Sequence, residues 1–98
     1  MAMEYRDSIK DAHPKPVLCA QYNSNRRELY TAGEDSTIRV WEYESRKLVA
    51  SWSGHMGWVT SLHYCKDFKI LFSASIDGCL IAWGPNGKIL QKVQVVEM

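Results

Sequence analysis

The sequence predicts an all-β protein built from two four-stranded antiparallel units. Three observations lead there. The 98-residue chain matches itself without a gap at an offset of 42 residues. Short runs rich in β-branched and aromatic residues alternate with turn-forming clusters in both copies. No segment carries the apolar period of an amphipathic helix.

Aligned in this way, residues 13–48 and 55–90 share eight identities: His13/His55, Val17/Val59, Tyr22/Tyr64, Leu29/Leu71, Ala32/Ala74, Asp35/Asp77, Trp41/Trp83 and Leu48/Leu90. Conservative pairs accompany them: Tyr30/Phe72, Thr31/Ser73, Ile38/Leu80 and Arg46/Lys88. Two tryptophans and two histidines falling in step carry more weight than the total. Self-similarity at this period is the mark of a repeat architecture, in which each copy is one supersecondary unit.

In the first copy the pattern predicts strands over Val17–Tyr22, Glu28–Ala32, Thr37–Tyr43 and Lys47–Trp52. In the second it predicts Trp58–Tyr64, Lys69–Ala74, Cys79–Trp83 and Lys88–Val95. Turn formers separate them: Asn23-Ser24-Asn25, Glu34-Asp35-Ser36, Asp77-Gly78 and Pro85-Asn86-Gly87. Asn86-Gly87 suits a tight hairpin, because both residues tolerate positive φ. Ile70-Leu71-Phe72 and Leu80-Ile81-Ala82-Trp83 are apolar at consecutive positions, so both sheet faces are expected to be covered. The organisation read from this is a lead-in over residues 1–11, a first unit over 12–53 and a second over 54–98. Residues 4–11 fit either one helical turn or an extended lead-in.

Composition narrows the function. The chain is 46% hydrophobic, 23% charged and 11% aromatic, an ordinary globular balance that excludes a disordered tail. A net charge of +1 argues against a strongly basic nucleic-acid clamp. Met1–Lys10 carries Glu4, Arg6, Asp7 and Lys10 and no apolar stretch, so no secretory signal is expected there. The uncharged run Leu48–Cys65 is too rich in Ser, Thr, Gly and His for a transmembrane helix. Three cysteines, Cys19, Cys65 and Cys79, are an odd set that points to reduced thiols. The expected setting is cytoplasmic, with nuclear and cytoskeletal sites left open.

Each copy resembles a WD repeat, the four-stranded blade of a β-propeller. The signature opens with Gly-His and closes with Trp-Asp. Here the openings are Ala12-His13 and Gly54-His55, and the closings are Trp41-Glu42 and Trp83-Gly84. The final Asp is thus replaced twice. The resemblance covers about residues 12–94 and implies two blades of an incomplete propeller. It also implies a hydrogen-bonded quartet in each blade: a His before the first strand, a Ser or Thr on the second, an Asp in the next turn and a Trp on the third. Matched by position, these are His13, Thr31, Asp35 and Trp41, then His55, Ser73, Asp77 and Trp83. The residue types make physical sense. A buried Asp is costly without donors. The indole N–H is donor-only and needs an acceptor, which a hydroxyl oxygen supplies.

Ser or Thr, His and Asp are also the parts of a hydrolytic triad. The structural reading is preferred, because the set occurs twice at one spacing, each time with a donor-only Trp that would occupy the hydroxyl, and no nucleophile elbow is present. A zinc site is set aside because the sequence has neither Cys-x-x-Cys nor His-x-x-x-His. No catalytic residue, metal, cofactor or small-molecule substrate is therefore expected.

The resemblance also sorts the loops onto two rims. One carries Pro14–Pro16, Gly33–Ser36, Met56–Trp58 and Ser75–Gly78, and there Lys15, Glu34, Met56, Trp58 and Ile76 are the candidate partner-binding residues. The other carries Asn23–Arg27, Glu44–Lys47, Lys66–Phe68 and Pro85–Lys88, and gathers Arg26, Arg27, Arg46, Lys47, Lys66, Lys69 and Lys88, offset by Glu28, Glu44 and Asp67. The leading expectation is a non-enzymatic scaffold presenting loops to protein or peptide partners. The alternative is recruitment to a phosphoinositide membrane surface or nucleic acid through the basic rim. Because the family closes rings of four to eight blades, two blades imply a piece of a larger propeller. An outer face exposing on the order of 500 Å² of apolar surface would forgo about 12 kcal/mol of burial. Further blades or self-association are expected to cover it.

Overall fold

The computed structural model describes residues 13–95. The expected lead-in, residues 1–11, lies outside the described residues, as do 96–98 of the second unit. Eight strands follow one another: β1 (Val17–Asn23), β2 (Glu28–Gly33), β3 (Thr37–Glu42), β4 (Leu48–Ser53), β5 (Val59–Cys65), β6 (Ile70–Ser75), β7 (Cys79–Trp83) and β8 (Ile89–Gln94). They form two antiparallel meanders, in the orders β1-β2-β3-β4 and β5-β6-β7-β8. The fold is all-β, and each strand ends within a residue of its sequence-based limits.

The repeat extends to the backbone conformation. Left-handed residues stand at Arg27 (φ 56°) and Lys69 (58°), at Ser36 (68°) and Gly78 (82°), and at Arg46 (61°) and Gly87 (82°). The first two pairs are 42 residues apart and the third 41, so the last hairpin is one residue shorter in the second copy. In the first copy the Arg46 amide bonds the Glu42 carbonyl at 2.8 Å. In the second the Gly87 amide bonds the Gly84 carbonyl at 3.0 Å. Register follows: Trp52 stands opposite Ile38, and Val93 stands opposite Leu80. The ungapped alignment pairs Trp52 with Gln94. The structure corrects this to Val93, because a hairpin one residue shorter slides β8 along its neighbour.

One core lies between the sheets. Tyr30, Ala32, Ile38, Val40 and Trp52 from the first sheet meet Val59, Leu62, Leu71, Cys79, Ile81 and Trp83 from the second. Trp52 stacks on Trp83 with ring centroids 5.4 Å apart and 23° between planes. Polar bonds cross the seam: the Tyr64 amide donates to Gln21 Oε1 at 2.9 Å, and its hydroxyl to Asn25 Oδ1 at 2.5 Å. A smaller cluster of Leu29 and Trp41 lies on the other face of the first sheet.

Antiparallel partners share a face, so register defines the outer face of the second sheet. Phe72, Ala74, Leu80, Ala82 and Val93 line it. Phe72 and Leu80 are each 45% exposed, whereas their first-sheet counterparts Tyr30 and Ile38 are 1% and 0% exposed. Cys19, Cys65 and Cys79 are free thiols. Burial pushes the Cys19 thiol up to about 11, which leaves it inert at neutral pH. Among the described residues, no helix is long and apolar enough to cross a membrane.

Candidate functional site

In the first sheet four side chains form one chain of hydrogen bonds. Trp41 Nε1 donates to Thr31 Oγ1 at 2.8 Å. His13 Nε2 meets the same oxygen at 2.7 Å, and His13 Nδ1 meets Asp35 Oδ2 at 2.7 Å. Since the indole is donor-only, Thr31 Oγ1 accepts from it and turns its own hydrogen to His13. The imidazole then donates from Nδ1 to Asp35. The strands set this geometry. Trp41 and Thr31 sit on β3 and β2, and Asp35 lies in the turn between them, where its Oδ1 accepts the Thr37 amide at 3.2 Å. Burial pushes the Asp35 carboxyl up, but the bonds from His13 and Thr37 outweigh it and hold it below the usual range.

The second sheet repeats only part of the chain. Trp83 Nε1 donates to Ser73 Oγ at 2.8 Å, and His55 Nε2 meets that oxygen at 2.6 Å. The expected link from His55 to Asp77 is not made. His55 Nδ1 is buried without a hydrogen-bond partner. Asp77 instead takes the Ser75 hydroxyl and the Cys79 amide on Oδ1, and the Met56 amide on Oδ2. The reason is local chemistry. Ser75 stands where the first sheet has Gly33, so a hydroxyl competes for the carboxylate. That hydroxyl, ahead of the opposing desolvation and together with the Cys79 and Met56 amides, holds the Asp77 carboxyl low.

The partner-binding candidates divide between the two sheets. Lys15 and Glu34 belong to first-sheet loops, which are tied by the Glu34 amide to the Pro16 carbonyl at 3.1 Å. Gly33 permits this approach, since a Cβ there would stand 2.2 Å from the Pro16 oxygen. Met56, Trp58 and Ile76 belong to second-sheet loops and are 85%, 44% and 63% exposed. The Ile76 amide donates to the Trp58 carbonyl at 2.9 Å, which brings these loops together.

The basic candidates are partly neutralised. Arg26 lies 3.4 Å from Glu28, and Arg27 lies 3.9 Å from Glu44. Arg27, Arg46 and Lys69 are the left-handed residues of their turns, so their backbones shape the hairpins. Lys47, Lys66 and Lys88 are exposed at hairpin ends.

Comparison with known proteins decides the family. The model of the WD40 family (WD domain, G-beta repeat) matches residues 6–42 and 46–84. The chain belongs to the WD40 family. The U3 snoRNP-associated protein-like EMB2271 of Arabidopsis thaliana is 33% identical over 81 residues, 83% of this chain and 17% of that protein. The β-propeller domain of Cps50 (Swd1) from Myceliophteria thermophila superposes with a TM-score of 0.74 at 25% identity, over 81% of this chain and 24% of that one. The WD40 repeats of RRP9 superpose with a TM-score of 0.79 at 23% identity, over 85% of this chain and 26% of that one. The chain thus spans about a quarter of each of these solved propellers and a smaller share of the curated relative.

The WD40 windows end at Glu42 and Gly84, one strand before each sheet ends. The second window therefore takes β4 from the first sheet and β5, β6 and β7 from the second. The second WD40 repeat so bridges the two sheets, and Trp52 on β4 shows the effect by packing on Trp83 of β7. Sequence reading missed the approach of Cys79 to His55 and Asp77, whose donor atoms lie within 4.8 Å of one another. Residues 55, 77 and 79 fit no spacing motif, and the pairing of β5 with β6 sets His55 beside the turn that holds Asp77 and Cys79.

Proposed function

We propose that the chain is a non-enzymatic protein-interaction module. It offers the rim of Met56, Trp58 and Ile76 to a peptide or loop of a partner protein. The observation that carries this is the apolar trio itself, exposed on two loops joined by the Ile76–Trp58 bond. A fixed, partly exposed aromatic beside aliphatic neighbours is the kind of anchor that supplies most of an interface's energy. Lys15 and Glu34 give the neighbouring loops a polar border. The relative's U3 snoRNP-associated name makes a protein of a ribonucleoprotein particle a natural class of partner. A cytoplasmic or nuclear setting suits the free thiols.

The first quartet and the Trp83–Ser73–His55 part of the second are read as internal struts. The hydroxyl of each is held between a buried indole and an imidazole, which supports that reading. The basic rim is the weaker docking surface, because Arg26 and Arg27 already face Glu28 and Glu44.

Screening the 98-residue chain against a peptide array and titrating the hits tests the reading. Trp58→Ala is expected to weaken the hits by about 2 kcal/mol or more, with Arg26→Glu/Arg27→Glu neutral. Salt-sensitive binding of anionic vesicles or RNA, lost in the charge reversal and kept in Trp58→Ala, would overturn it.

A further inference from the structure

One polar position occurs in both sheets with different chemistry. In the first, His13 Nδ1 bonds Asp35 at 2.7 Å, and Thr37 follows two residues later. In the second, Cys79 replaces that threonine, and His55 Nδ1 is buried and unpartnered. His55 is 7% exposed and Cys79 1% exposed. Donor atoms of His55, Asp77 and Cys79 all lie within 4.8 Å of one another. We propose that His55 Nδ1, the Asp77 carboxylate and the Cys79 sulfur form a binding site for a zinc-class divalent ion, with a water completing the tetrahedron.

The donors select the ion. One imidazole nitrogen, one thiolate and one carboxylate suit a borderline-soft metal, whereas magnesium and calcium favour oxygen alone. Tetrahedral bonds of about 2.0–2.3 Å put donors roughly 3.5 Å apart. The set must therefore contract by about an ångström, and the Asp77 carboxylate, on a turn at the rim, can move to achieve it. On binding, the Cys79 thiol loses its proton to solvent, and thiolate and carboxylate balance the 2+ charge. The imidazole proton then resides on Nε2 and is donated to Ser73 Oγ, which also accepts from Trp83. Such an outer partner fixes the tautomer and the ring orientation of a metal-bound His. Lys92, whose ammonium reaches the Gly54 carbonyl at 3.0 Å, is the nearby opposing charge. A Cys–His–Asp nucleophile is disfavoured on access, because a 1% exposed Cys79 leaves no room for a substrate-sized electrophile at the sulfur, whereas an ion needs only the gap beside Asp77 at the rim.

Cobalt and zinc titrations of the 98-residue chain test the site. Cobalt should bind one to one with a near-ultraviolet sulfur-to-cobalt charge-transfer band, and zinc should displace it. Cys79→Thr copies the first sheet's own residue and should keep the far-ultraviolet dichroism while losing the band. Asp77→Asn should weaken cobalt by more than about tenfold. Cys19→Ser/Cys65→Ser should change neither band nor affinity. No saturable band in the wild-type chain, or a band that survives Cys79→Thr, would overturn the proposal.

Discussion

Thr31 and Ser73 each hold one end of an indole and one end of an imidazole through a single oxygen. Removing that oxygen orphans two buried nitrogens. Thr31→Ala and Ser73→Ala are each expected to lower stability by about 1–3 kcal/mol, read as a shift in urea midpoint at unchanged slope. Thr31→Ser should recover most of the loss. The same groups set the pH response. Burial, ahead of an opposing pull from Asp77, lowers the His55 pKa below its ordinary 6.5. Between these two values the unfolded chain binds a proton that the folded chain does not. Stability should therefore decline as pH falls below about 6.5. Asp35 is held low, so its contribution is present above the ordinary 3.8 and disappears as pH falls through its folded value. Urea midpoints between neutral and acid pH should show both declines, and His55→Gln should remove the first alone.

Strand-level behaviour turns on the last hairpin. Gly87 has a φ of 82°, and a Cβ there would stand 2.4 Å from Trp52 Nε1. Arg46 takes the equivalent left-handed position in the first sheet. Gly87→Ala should thus destabilise by about 1–3 kcal/mol, because both strain and overpacking oppose it. Arg46→Gly relieves the left-handed strain of a side chain there and should cost less than Gly87→Ala. Trp52→Ala removes the ring stacked on Trp83, and a loss of about 3–5 kcal/mol is expected. Equilibrium denaturation followed by tryptophan emission reads all three. The hairpin also shows where pattern reading stopped. Pro85-Asn86-Gly87 identified a turn, but its length relative to the first copy followed from hydrogen bonds between Gly84, Gly87 and Lys88.

For the whole molecule, what matters is the face that lacks a neighbour. Phe72, Leu80 and Val93 repeat the positions that Tyr30, Ile38 and Trp52 occupy at the buried seam. The first set is exposed and the second buried, so among the described residues the second sheet carries an uncovered seam surface. Repeat units of this kind gain stability from neighbours. The isolated chain is therefore expected to self-associate unless further blades cover that face. Light scattering after size exclusion should show mass above 11.3 kDa that falls toward the monomer in Phe72→Lys/Leu80→Lys. A cooperatively unfolding wild-type monomer at high concentration would sink this expectation.

The amino-acid order alone determined the repeat and the eight strands, since strand period and turn chemistry are local properties, and the resemblance to WD repeats supplied the residue types of both quartets. It also marked Met56, Trp58 and Ile76 as loop residues. Contacts across the sheets were decided only in three dimensions. A hydroxyl at Ser75 drew Asp77 away from His55, a shortened hairpin put Val93 in the place of Trp52, and strand pairing carried Cys79 to His55. Each outcome depends on which of several competing partners a group meets once the strands pair, which spacing along the sequence does not encode.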